Sequence, residues 1–178
     1  LIQIADKTEL ETFLKYLVLL PNPKKFKFAA VEALRTNIAT VFNAISQHNP
    51  YPSQYFTTAE WNQMYLKSAF MQQGLKKIPE VDKMANKDLA RIISDYAHER
   101  WAASRDIDPM FWRPVSNFVE GKLVDDVERL FKSDDEREQK AATLVCFHSD
   151  ADEAKKLLKT YDTHLPKVEL GNITWKNL

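Results

Sequence analysis

Apolar residues recur along most of this chain at the spacing of an α-helix. In the stretch 8–20, Leu10, Phe13, Leu14 and Leu17 fall on one helical face, and similar stripes follow in later segments. No run alternates β-branched and polar residues as a half-buried strand would, and the sequence has only three glycines. The pattern therefore predicts an all-α protein with at least eight helices and no sheet.

Residues 24–47 read as one long helix with a continuous apolar stripe. Its inner face would carry Ala30, Leu34, Ile38, Val41, Phe42 and Ile45. The prolines of "NPYP" should end this helix, because a proline disfavours helical geometry in the residue before it. The following stretch, "QHNPYPSQYF" (47–56), is predicted to be a rigid, extended connection of polyproline type.

Start signals mark the helices of the middle of the chain. Thr57 with Glu60 forms a predicted capping box, and Asn86 is the predicted N-cap of a helix over about 87–104. Asp108 followed by Pro109 marks another helix start. Pro114 lies too deep for that first turn, so we expect a kink or two short helices there.

The last third of the chain reads as three short amphipathic helices, namely "KLVDDVERLFKS", "DDEREQKAATLVCFHS" and "DADEAKKLLKTY". Short helices joined by tight serine turns are typical of HEAT-like or TPR-like hairpins, although no strict repeat is present. No Pro-, Gly- or Ser-rich linker divides the chain. We therefore predict a single domain over 1–178, built as an irregular α-α superhelix.

The charge balance argues against several classes of partner. Twenty-five basic and twenty-five acidic residues cancel, so no overall basic field exists to attract nucleic acid or an anionic membrane, and the patch "PKKFKF" (23–28) is short. The apolar run "YLVLL" (16–20) is too short to span a bilayer. With no signal-peptide pattern at its start, the chain is expected to be cytoplasmic.

Common catalytic and cofactor motifs are missing from the sequence. The phosphate-binding, dinucleotide-binding and serine-hydrolase glycine motifs are absent, and the four histidines and one cysteine lack metal-ligand spacing. We expect no cofactor and no metal. Cys146 lies in an apolar helical run and is predicted to be an inert buried thiol.

The stretch "DYAHERWAASR" (95–105) is the strongest candidate for chemistry. Asp95 can reach His98 one helical turn later, and an Asp–His pair can orient a general base; Glu99 lies beside it in sequence. A structural polar network, a contact with a ligand or partner, and catalysis are the three interpretations. The structural network is the one we favour.

A second polar group lies in the predicted helix 24–47. Thr36 and Asn37 are poor residues for a helix interior, so their side chains should bond across to another helix or line a cleft. We expect Arg35 and Asn37 to come together with Asp95, His98 and Arg105, because buried polar groups need partners. Asn62 is a further candidate for this polar cleft.

Aromatic residues form a third candidate group. Tyr51 and Tyr55 belong to the proline-rich connection, and Trp61 follows in the next helix. Such rings either pack on the protein body, which is the interpretation we favour, or face a partner, and we keep these three as a candidate partner surface.

Two blocks resemble a known family. "RTNIATVFNAISQHNPYPSQYFTTAEWNQMYLKSAF" (35–70) and "DYAHERWAASRDIDPMFWRPVSNF" (95–118) are similar to the EboA family of bacterial proteins, and the likeness extends through "VDDVERLFKSDDEREQKAATLVC". In this chain Ser104 stands where the family usually has a glycine. The resemblance implies a gene cluster for making or exporting secondary metabolites, and it assigns no catalytic residues.

Three functions of different classes follow from these observations. The chain is a non-catalytic helical accessory or scaffold protein that binds other products of its cluster, which is the interpretation we favour. Alternatively it carries a small apolar metabolite, prenylated or not, or it is an acid/base enzyme using Asp95, His98 or Glu99. An exposed aromatic groove would favour the first, an enclosed apolar pocket the second, and a closed polar cleft the third.

Overall fold

The computed structural model describes residues 6–178. Over this range the chain contains eleven α-helices, four 3-10 helices and no strand, which confirms the all-α prediction. The chain divides into two compact units, one ending at Glu80 and the other spanning Val81–Leu178. That the whole chain is a single domain stays a prediction.

The first unit is built from short helices. Its α-helices are α1 (Lys7–Tyr16), α2 (Lys27–Ala33), α3 (Ala39–Ser46), α4 (Tyr51–Tyr55) and α5 (Thr58–Phe70). Its 3-10 helices are Leu17–Leu19, Pro23–Phe26 and Leu75–Lys77. Helix α1 packs against α3, and the core includes Leu14, Leu17, Phe42 and Ile45.

The second unit has longer elements. Its α-helices are α6 (Val81–Met84), α7 (Lys87–Ala102), α8 (Lys122–Phe131), α9 (Glu136–Phe147), α10 (Asp152–Thr160) and α11 (Leu165–Glu169), and its 3-10 helix is Pro109–Phe118. Helix α9 is the centre of this unit, because it packs against α8, α10, α11 and the 3-10 helix. Residues 141–146 of α9 are all buried.

Two predicted helix starts are confirmed. Glu60 N donates to Thr57 Oγ1 at 3.3 Å while Thr57 N donates to Glu60 Oε2 at 2.6 Å, which completes the capping box of α5. Asn86 caps α7, since its Oδ1 accepts from Leu89 N at 2.9 Å. Each cap satisfies backbone donors that the helix itself leaves without partners.

The predicted long helix over 24–47 is wrong, because the chain breaks it into a 3-10 turn, α2 and α3. Helix α2 ends at Ala33 and α3 begins at Ala39. Between them, Thr36 Oγ1 accepts a hydrogen bond from Ile38 N at 3.0 Å and so stabilises a turn. The hydroxyl competes with the helical hydrogen bonds of the backbone, which is why threonine weakens a helix interior.

The predicted extended connection over 47–56 is also wrong. Residues Tyr51–Tyr55 form the short helix α4, with Pro52 in its first turn, where the missing N–H of proline has no helical partner to lose. Likewise the kink expected at Pro114 is replaced by one 3-10 helix over Pro109–Phe118, with Asp108 as its N-cap. The tighter 3-10 geometry accommodates this proline within a single element.

Candidate functional site

A polar cluster around one buried carboxyl group joins α7 to α8 in the second unit. Asp126 on α8 is only 2% exposed, and each of its carboxyl oxygens accepts a hydrogen bond from α7. Ser94 Oγ donates to Oδ2 at 2.5 Å, and His98 Nε2 donates to Oδ1 at 2.7 Å. Because Ser94 and His98 are four residues apart, they project from the same face of α7 and hold the carboxyl group between them.

This arrangement differs from that of a serine hydrolase. In such an enzyme a histidine lies between the serine and the carboxylate, so that it can remove the proton of the serine hydroxyl. Here the carboxyl group of Asp126 lies between Ser94 and His98, and both donors are committed to it. The geometry therefore stabilises the α7–α8 contact and does not activate Ser94 as a nucleophile through His98.

Aromatic and cationic side chains extend the α7–α8 contact beyond His98. We call the whole contact, formed by Ser94, His98, Asp126, Trp101, Trp112 and Arg129, the seam. The rings of His98 and Trp101 meet edge to face with their centroids 5.2 Å apart. Trp101 stacks on the fully buried Trp112 at 5.7 Å, and the guanidinium of Arg129 lies 4.2 Å from the ring centre of Trp101. A guanidinium on an indole face is a favourable cation–π contact, so Trp101 and Arg129 hold each other in place.

Next to this stack lies an open cleft of about 640 Å³. It is formed by the end of α7, the loop after it, α8 and the start of α9. Three basic and five acidic side chains line it together with one aromatic ring and two serines: Arg105, Arg129, Lys132, Asp106, Asp125, Glu128, Asp134, Glu138, Trp101, Ser104 and Ser133. We call it the α7–α8 cleft. Its polar, open lining suits charged groups of a partner better than an apolar molecule.

One wall of the cleft is fixed by an ion pair. Lys132 Nζ lies 2.9 Å from Glu128 Oε1, and the hydroxyl of Tyr161 donates to the same oxygen at 2.9 Å. The hydrogen bond from Lys132 lowers the pKa of Glu128 most, and the hydrogen bond from Tyr161 lowers it further. The same hydrogen bond to Glu128 raises the pKa of Lys132. In contrast, Arg105 and Arg129 have no ion pair with any residue of 6–178, which leaves both guanidiniums available to an anionic group.

The predicted site residues in the second unit are only partly brought together. His98 bonds Asp126 and not Asp95, so the expected Asp95–His98 pair is wrong. Asp95 instead lies 3.2 Å from Arg91 and 3.6 Å from Lys122, on the exposed side of α7. Glu99 is exposed, and Arg105 lines the α7–α8 cleft.

Of the three predicted site residues in the first unit, two are exposed and one is buried. Arg35 is exposed and pairs with Glu32 at 3.3 Å, and Asn37 is exposed in the turn before α3. Asn62 is buried in α5. That Arg35 and Asn37 come together with Asp95, His98 and Arg105 stays a prediction. A role of these residues in binding stays a prediction.

The predicted partner surface is wrong for two of its three members. Tyr51 and Trp61 are 0% and 1% exposed, so they belong to the core, and only Tyr55 is partly accessible. Tyr51 donates its hydroxyl proton to Pro23 O at 2.8 Å, and Trp61 stacks on Tyr65 at 5.3 Å. Burial raises the pKa of Tyr51 to about 12, so its hydroxyl stays a donor.

Sequence reasoning missed Asp126, although a signal was present. Leu123, Val127 and Leu130 form the apolar stripe of α8, and Asp126 occupies a position within this stripe. A carboxyl group at a core-facing position needs hydrogen-bond partners there. A carboxyl residue on an apolar stripe is therefore a sequence signal for a buried polar contact.

No group of three or more His, Cys, Asp or Glu side chains within residues 6–178 is arranged to hold a metal ion. Nor does any helix in that range have the length and apolar character needed to cross a membrane.

Comparison with known proteins identifies a family. Neither the curated proteins nor the solved structures contain a significant match to the chain. The family model described as "Metabolite traffic protein EboA" matches residues 1–116, which is well over half of the sequence. The matched region includes Ser94, His98, Trp101 and Arg105, and it ends before Asp126 and Arg129. The chain therefore belongs to the EboA family of metabolite traffic proteins.

Proposed function

We propose that this chain is a non-catalytic accessory protein of metabolite traffic that binds another protein of its pathway at the α7–α8 cleft. The observation that carries the proposal is the pair of unpaired guanidiniums, Arg105 and Arg129, in an open, charged cleft. Arginine and tryptophan are among the side chains that contribute most to protein interfaces. Anionic side chains of the partner would bind these guanidiniums.

The rigid seam behind the cleft supports this proposal. The bonds of Asp126 to Ser94 and His98 fix α8 against α7, and the Trp101–Trp112 stack fixes the end of α7. The cleft is thus formed before any partner arrives, which lowers the entropic cost of binding. A charged lining that is open to solvent is typical of the polar part of a transient interface.

Co-purification from the native host with a tagged chain tests this function. We expect at least one protein to be enriched with the wild-type chain and lost with Arg105→Ala/Arg129→Ala. The matched control is Lys155→Ala/Lys156→Ala, which removes two exposed cations from α10, away from the cleft. The captured protein, once purified, should bind the wild-type chain and the control with the same affinity. Equal capture by all three chains would refute the role of the cleft.

A carrier function for a small molecule is a second candidate. A pocket of about 300 Å³ lies beside α7, lined in part by Ser94, Phe118 and Leu123, and it is within the size range of small-ligand sites. Native mass spectrometry of the chain purified from its host would test this candidate. A bound metabolite that Leu123→Trp excludes, and that Arg105→Ala/Arg129→Ala retains, would favour the carrier over the protein-binding function.

A further inference from the structure

The zero net charge of the chain conceals an uneven distribution. Residues 1–80 contain nine basic and six acidic side chains, whereas residues 81–178 contain sixteen basic and nineteen acidic ones. Within the first unit, residues 12–31 contain four lysines and no acidic residue. This stretch includes the end of α1, two 3-10 helices and the start of α2.

Large apolar side chains are exposed in the same stretch. Tyr16 is 50% exposed, Leu19 is 76% exposed and Phe28 is 79% exposed. They account for three of the seven large hydrophobic residues exposed in the described part of the chain, within only thirteen positions. Single exposed apolar residues are ordinary, but several in one short cationic stretch indicate an interaction surface.

The stretch is anchored to the body of the first unit. Leu17 is fully buried in the core of the unit, and within the stretch itself Phe13 and Phe26 pack edge to face at 5.6 Å. The bond from the Tyr51 hydroxyl to Pro23 O ties the second 3-10 helix to α4. The exposed apolar and basic side chains therefore project from a fixed support, so little ordering entropy opposes their binding.

Three of the four lysines are available to a partner. Lys27 is paired with Glu60 at 2.9 Å. Lys15, Lys24 and Lys25 are exposed and have no ion pair within residues 6–178, and the ammonium of Lys15 lies 5.7 Å from the ring centre of Tyr16. An anionic surface would meet these three ammonium groups without having to displace an acidic side chain.

We propose that residues 15–28 attach the protein reversibly to the surface of an anionic lipid bilayer. Leu19 and Phe28 would enter the interfacial layer, while Lys15, Lys24 and Lys25 would contact the lipid phosphates. A bilayer suits this surface better than an acidic protein does, because protruding single apolar side chains need a soft apolar phase and not a shaped groove. The proposal revises the expectation that "PKKFKF" is too short to attract a membrane. That expectation did not include exposed apolar side chains beside the lysines.

Flotation of the purified full chain with lipid vesicles tests the proposal. The chain should float with vesicles of phosphatidylcholine mixed with phosphatidylglycerol, should bind vesicles of phosphatidylcholine alone more weakly, and should lose binding as salt is raised. Lack of binding to the anionic vesicles would overturn the proposal and leave an acidic protein as the remaining kind of partner.

Two pairs of variants locate the surface. Lys24→Glu/Lys25→Glu and Leu19→Ser/Phe28→Ser should each weaken binding by at least about tenfold, because both charge and apolar insertion are required. The matched controls are Lys76→Glu/Lys77→Glu, with the same charge change, and Phe70→Ser/Leu170→Ser, with side chains of similar exposure. Circular dichroism verifies that all variants fold. Equal losses in the controls would overturn the assignment to residues 15–28.

Discussion

His98 on α7 donates from Nε2 to Asp126 on α8 across 2.7 Å, although the two residues are 28 positions apart in the sequence. The carboxyl group is buried, whereas the imidazole is half exposed and meets the ring of Trp101, which lines the α7–α8 cleft. This pair therefore connects the core of the second unit with its candidate binding surface.

Asp126→Ala should lower the free energy of unfolding by about 2 kcal/mol, because it leaves the buried hydroxyl of Ser94 and one nitrogen of His98 without an acceptor. Asp125→Ala is the matched control, since Asp125 is the exposed neighbour in the same helix. Its effect should stay within about 0.5 kcal/mol. Urea unfolding followed by circular dichroism measures both free energies of unfolding. Similar losses for the two variants would show that the buried carboxyl group of Asp126 does not stabilise the α7–α8 contact.

Ser104→Gly should raise the free energy of unfolding by about 0.5–1 kcal/mol. Ser104 has φ +52° and is the left-handed residue after α7, where Ser104 N bonds Trp101 O and Arg105 N bonds Arg100 O. This is a Schellman motif, and glycine adopts its left-handed position without steric strain. Ser104→Ala keeps the strain and should bring no gain. Thermal melts distinguish the two substitutions.

His164 should make the second unit less stable in mild acid. Burial lowers its pKa, despite the opposing effect of Glu136, and its Nδ1 is buried without a partner. Since the folded pKa lies below the unfolded value of about 6.5, the unfolded chain binds the proton first. The stabilisation by neutral His164 is complete above that value and declines as pH falls towards the folded pKa.

Urea midpoints at neutral and mildly acidic pH test this dependence. His164→Gln should reduce the loss of stability in acid, and His148→Gln, at an exposed histidine, is the comparison variant for the substitution itself. An identical acid response of the wild-type chain and His164→Gln would show that this histidine does not contribute.

Cys146 should not react with a thiol reagent while the protein is folded. It is 1% exposed, and burial raises the pKa of its thiol to about 12, so the reactive thiolate is scarce at neutral pH. Absorbance titration with a disulfide reagent should show no reaction in native buffer and full reaction of the single cysteine in urea. Rapid reaction of the folded chain would contradict this account.

The helical fold could be predicted because periodicity and caps are local signals. Thr57 with Glu60 and Asn86 both start helices as predicted. The break between α2 and α3 was also signalled, by Thr36 and Asn37, but a continuous apolar stripe masked it. Local propensity decided the outcome there, because the side chain of Thr36 accepts a hydrogen bond from Ile38 N within the turn.

The site could be predicted only in part, because its contacts join distant positions. His98 was found as a candidate, but spacing along one helix suggested Asp95 as its partner, whereas packing of α8 supplies Asp126. The burial of Tyr51 and Trp61 likewise depends on tertiary packing, which the aromatic pattern alone does not determine. The approach of Arg129 to Trp101 is a further contact between helices that no sequence spacing reveals.

The most direct test of the central claim is complementation in the native host. A strain lacking this gene should be compared with strains carrying the wild-type chain, Arg105→Ala/Arg129→Ala and the control Lys155→Ala/Lys156→Ala, each verified to be present at equal levels. The readout is the amount and location of the metabolites that change on deletion. The α7–α8 cleft account predicts that the wild type and the control restore the normal distribution and that the cleft variant does not. Full restoration by a folded Arg105→Ala/Arg129→Ala chain would contradict it.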